Sequence, residues 1–79
     1  MEFQIITTED NSFFISDTYT VEGFDKHGKK LLTGIPSKKD FREMAYILPP
    51  IFLKANSFEN AKEKFIAMEG NDQMAETIA

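Results

Sequence analysis

The chain of 79 residues has no cysteine and no tryptophan, only one histidine, and three prolines. Without cysteine there is no disulfide and no thiolate zinc site, so the fold must be held by packing and hydrogen bonds alone. No apolar run approaches the ~20 residues that cross a bilayer. The first 25 residues hold no Lys or Arg, which is the reverse of a signal peptide's basic start. The expectation is a cytoplasmic protein. Neither a GxGxxG nor a GxxxxGK[ST] phosphate cradle is present.

Histidine chemistry is equally thin. His27 stands two residues after Asp25, which is a partner able to orient an imidazole. It also stands beside Gly28 between lysines, the composition of a turn. The serines at 12, 16, 37 and 57 have turn or cap settings, and none adjoins a histidine. Glu59 and Glu63 have helical i, i+4 spacing but no third ligand, and Lys62 and Lys64 flank them, so a solvated face is the reading. The chain is expected to be no enzyme and to carry no cofactor or metal.

What is present is aromatic and charged. Eight Phe and two Tyr must supply much of the buried area. The net charge of −4 conceals a segregation by sign. Residues 1–25 hold six acids and no base. Residues 26–42 hold six bases against Asp40, and residues 43–79 hold six acids against three lysines.

Ile51 to Gly70 organises the rest. Ile51–Ala55 follows Pro49-Pro50 and reads as a short strand. Asn56 or Ser57 then caps a helix, with Asn56 and Glu59 at capping-box spacing. Phe58, Ala61, Phe65 and Met68 repeat at 3.6-residue spacing and form a core stripe. Gly70 is expected to end the helix with a positive φ.

Upstream, Phe3–Thr8 reads as a strand with Phe3 and Ile5 on one face. Glu9–Ser12 is a turn. Phe13–Ile15 and Thr18–Phe24 are strand-like, with a bulge or break at Ser16-Asp17. Asp25–Lys29 reads as a hairpin turn around Gly28, and Lys30–Thr33 as its returning strand. Ser37 with Asp40 resembles a helix start, and Phe41, Met44, Ala45 and Leu48 follow at helical spacing. A strand at Ala45–Leu48 is the competing reading.

The expected fold is α+β: a small antiparallel sheet of about three to four strands with two helices on one face, in the order β-β-β-α-β-α. One domain spans 1–70, and 71–79 is a frayed tail. The leading functional expectation is a non-enzymatic protein-binding module. Its size and composition are those of small phage or mobile-element inhibitors of host defence or nucleic-acid-processing complexes, anti-CRISPR-like proteins that act by steric or electrostatic blockade. Contacts are expected from the acids Glu9, Asp10, Asp17, Glu22 and Asp25 and from the bases Lys26, Lys29, Lys30, Lys38, Lys39 and Arg42. The alternative is a nucleic-acid-associated module using the basic stretch 26–42. A homodimer formed through an open sheet edge or face is a further expectation.

Overall fold

In the computed structural model four strands and two helices follow in the order β-β-β-α-β-α. The backbone is described for residues 1–78 and the side chains for residues 1–68. The strands are β1 (Glu2–Thr7), β2 (Phe13–Ser16), β3 (Val21–Phe24) and β4 (Ile51–Lys54). The helices are α1 (Lys38–Ile47) and α2 (Phe58–Ile78). The sheet is antiparallel throughout, in the spatial order β3-β2-β1-β4.

The antiparallel α+β architecture and the element order are those expected, but the placement of the helices is not. Two separate apolar clusters flank the sheet. Phe3, Ile5, Phe13, Ile15 and Phe24 pack with Ala55 and with Ala61 and Phe65 of α2, with Leu53 and Phe58 alongside. Ile6 and Phe14 pack instead with Phe41 of α1, together with Val21, Leu31, Met44 and Ala45. Successive strand residues point to opposite faces, so α2 covers one face and α1 the other. The expectation of both helices on one face is therefore corrected. The cause is visible in Ile5-Ile6 and Phe13-Phe14-Ile15: consecutive apolar residues present apolar surface on both sides, and each side needs a cover.

The α2 stripe faces the core as its spacing requires. Ala61 and Phe65 are buried, and Phe58 and Met68 are half-buried. Phe65 sits 4.8 Å from the Phe13 ring and Phe58 meets Phe3 edge-on at 5.1 Å. The cap differs in detail from the Asn56–Glu59 box. Ser57 Oγ accepts from the Asn60 amide, while the Asn60 side chain accepts from the Asn56 amide. Ser57 and Asn60 thus satisfy two amides, that of Asn60 and that of Asn56 one residue before the cap, a variant of the capping box. The helix does not stop at Gly70 but runs on to Ile78. Fraying of 71–79 concerns positions outside the residues whose side chains are described.

Helix α1 begins where expected: Ser37 is its N-cap and accepts from the Asp40 amide. The strand reading of 45–48 is excluded as far as Ile47, which is still helical.

Two strand expectations shorten. Thr18–Thr20 lie in the turn before β3 and Tyr19 is exposed. Lys30–Thr33 does not form a strand: one bridge, Phe24 to Lys30, and one bond, Leu31 N–H to the Gly23 carbonyl, are all that remain of it. The chain leaves the sheet edge there, and Leu31 tucks into the α1 cluster. Gly28 turns with φ +84° as expected, and a Cβ there would lie 2.8 Å from Ile66 of α2. The turn is therefore packed against the helix.

Candidate functional site

The acids expected to meet a partner are mostly occupied within the chain. Asp10 Oδ1 accepts from the Thr8 hydroxyl and the Ser12 amide. Asp17 Oδ1 accepts from the Tyr19 and Thr20 amides at 2.8 and 2.7 Å. Asp25 Oδ1 accepts from the His27 and Lys29 amides at 2.8 and 2.9 Å. Each bracket closes a turn by the side-chain-to-backbone chemistry that favours Asp in turns. The Thr8 hydroxyl and then the Ser12 amide hold the Asp10 carboxyl below the usual carboxylate range. The Lys29 amide does most to hold Asp25 there. Asp25 thus bonds the backbone amide of His27 and does not act as an orienter of its ring. Glu22 pairs with Lys30 at 2.6 Å, and that bond raises the Lys30 ammonium above its ordinary value. Glu9 is exposed at the tip of the first turn.

The bases do not gather into one patch. Lys26, Lys29 and Lys30 belong to the turn that packs on α2. Lys38, Lys39 and Arg42 open α1, across the sheet from α2. Lys38 is anchored: its Nζ donates to Ser16 Oγ at 2.6 Å and to the Asp17 carbonyl at 2.7 Å, and lies 5.5 Å from the Phe41 ring centre. Ser16, the one buried polar side chain among the described residues, is satisfied this way. Lys39 and Arg42 are exposed.

Beside Lys38 lies an open cleft of about 450 Å³, whose walls include Glu2, Gln4, Asp17 and Thr18. Ser16 and Lys38 line it as well, with Lys38 Nζ donating to Ser16 Oγ at 2.6 Å, but Ser16 is 1 % exposed and directs its own hydroxyl proton to the Asp17 carbonyl, so the pair is a buried structural contact. Among the described residues no three His, Cys, Asp or Glu side chains stand close enough to hold a metal, and no helix is long and apolar enough to cross a membrane.

The surface that charge counting missed is apolar. Among the described residues β4 is an edge strand, paired only with β1. The other edge, β3, is partly closed by the 29–31 segment. The run Tyr46-Ile47-Leu48-Pro49-Pro50-Ile51-Phe52-Leu53 carries no charge. Within it Tyr46 is 89 %, Ile47 80 % and Phe52 58 % exposed, and Leu48 and Ile51 are also open to solvent. Backbone direction follows from the ladder. Ala55 N–H donates to the Met1 carbonyl, and the register pairs Leu53 with Phe3 and Ile51 with Ile5. Hydrogen-bonded and non-bonded pairs alternate in an antiparallel ladder. The N–H and C=O of Phe52 and Lys54 therefore point away from β1. The outward carbonyl of Lys54 already accepts from Lys64 Nζ at 3.0 Å. An unblocked edge flanked by exposed apolar side chains is a template for strand addition.

No family model matches the chain, and no match is found among curated proteins or solved structures.

Proposed function

We propose that this chain is a non-enzymatic protein-binding module that binds through the β4 edge and the uncharged run 46–53. The observation that carries the reading is the open edge of β4, with Phe52 exposed beside outward-pointing backbone groups. A partner segment in extended form would add a fifth strand, with affinity from main-chain bonds and specificity from contacts with Tyr46, Ile47 and Phe52. Action would be by steric blockade, inhibiting a host defence or nucleic-acid-processing complex. The acids serve the fold more than the contact, since three of the five expected ones close turns.

The test is capture from a host lysate, with nuclease treatment, using three baits: the unaltered chain, Phe52→Glu, and the Lys29→Glu, Lys30→Glu pair. The proposal expects a protein partner retained by the unaltered chain and by the charge-reversed pair, and lost with Phe52→Glu. Loss on charge reversal or on nuclease treatment, with Phe52→Glu indifferent, would reverse the assignment in favour of the basic stretch.

A further inference from the structure

We propose that the β4 edge also pairs with β4 of a second copy, antiparallel about a two-fold axis through Phe52, so that self-association and partner binding compete. This rests on the same edge being the binding surface.

Donors and acceptors on the edge match those of a second copy. The outward positions run Pro50, Phe52, Lys54. They offer two N–H donors, on Phe52 and Lys54, since proline has none. The Lys54 carbonyl is held by Lys64 Nζ, which leaves the carbonyls of Phe52 and Pro50. In a register centred on Phe52, each Phe52 exchanges both bonds with its mate. Each Lys54 N–H meets the carbonyl of Pro50 in the other copy. The bond such a ladder would lack, from Pro50 to the Lys54 carbonyl, is the one that Lys64 replaces. Every outward group then has a partner, and the arrangement is self-complementary as a two-fold axis demands.

Charge agrees. Each copy carries −4, yet the contact is made where the chain carries no charge between Tyr46 and Leu53. Lys54 of one copy falls diagonal to Phe52 of the other on the same sheet face, within reach of its ring. Glu2, opposite Lys54 across β1, accompanies that charge. Area sets the strength. A standard interface takes about 800 Å² from each partner, about a seventh of this chain's 5558 Å². A four-residue strand with its flanking run offers less, so the dimer is expected to be a weak one.

Sedimentation equilibrium of the purified chain from about 10 µM to 1 mM tests it, alongside Phe52→Glu and Lys54→Pro. The Lys54 N–H is not bonded to β1, so proline there leaves the monomer's ladder intact, which circular dichroism checks. By symmetry Lys54→Pro removes two intersubunit bonds and should weaken association at least about tenfold. Phe52→Glu sets like charges against each other on the axis and should leave a monomer throughout. Should Lys54→Pro fail to fold, Phe52→Glu decides alone, since its side chain is exposed. A chain monomeric to 1 mM overturns the inference, as does a dimer indifferent to both variants. Neither outcome touches partner capture, which separates this failure from failure of the binding reading.

Discussion

If α1 and α2 cover opposite faces, substitutions in their two clusters should act independently. Phe41 and Phe65 are each almost fully buried, in clusters that share no residue. Truncation of a buried Phe to Ala costs about 3–5 kcal/mol. A chain of this length has a total margin of roughly 4–12 kcal/mol at 0.05–0.15 kcal/mol per residue, so a double alanine variant would consume most or all of it. Leucine is the usable probe. Phe41→Leu and Phe65→Leu should each cost about 1–1.5 kcal/mol, from the few methylene equivalents lost and a partly relaxed cavity. Urea titration followed by circular dichroism measures both singles and the double. The costs should add to within about 0.5 kcal/mol, as for sites without shared partners. The reference pair is Phe13→Leu with Phe65→Leu, whose rings lie 4.8 Å apart; it should show coupling above about 0.5 kcal/mol. If Phe41 and Phe65 couple as strongly as Phe13 and Phe65, the three-layer arrangement is wrong.

Further outcomes follow from single positions. Gly28→Ala should destabilise by more than Gly34→Ala in urea titration. Both glycines have positive φ, where a side chain costs about 1–2 kcal/mol, but only at Gly28 does the added Cβ meet Ile66, at 2.8 Å. The turn aspartates set an acid limb. A depressed folded-state value means that the contribution is present above the ordinary carboxylate value of 3.8 and is lost as pH falls through the folded one. Asp10→Asn and Asp25→Asn keep an acceptor but remove the charge, so the fall in stability below about pH 4 should flatten in both; an unchanged slope would count against the brackets. Lys38→Met removes the ammonium that donates to both Ser16 Oγ and the Asp17 carbonyl and should cost about 1–3 kcal/mol by thermal or urea unfolding, the scale of a lost charge-assisted bond; the Ser16 hydroxyl still donates to the Asp17 carbonyl.

Much of the fold was legible because local chemistry and period agree. Ser37 and Asp40 start α1, Gly28 takes the left-handed turn, and Phe58, Ala61, Phe65 and Met68 recur at helical spacing. The second apolar face was also written in the chain, in Ile5-Ile6 and Phe13-Phe14-Ile15, where alternation breaks down. Reading those as single-faced strands led to two helices on one side. The returning strand after Gly28 was overstated because Leu31-Leu32 looks like a strand locally, while the crossing to α1 is a tertiary demand.

The site was less legible. Counting acids suggested a contact surface, but Asp10, Asp17 and Asp25 each stand two to four residues before amides that they bracket. That spacing was the signal available. The apolar edge escaped notice because Ile51-Phe52-Leu53 reads as core in sequence, and only strand order shows that β4 has one neighbour.

The central claim is that the outward face of β4 is open and is where binding occurs. Amide hydrogen exchange resolved at residues 51–54 tests it most directly. In dilute monomer Ile51 and Leu53, bonded to β1, should be protected while Phe52 and Lys54 exchange rapidly; on concentration to about 1 mM or on partner addition, Phe52 and Lys54 should become protected. Slow exchange at Phe52 and Lys54 in the dilute monomer, or no gain there when a complex forms, would contradict it.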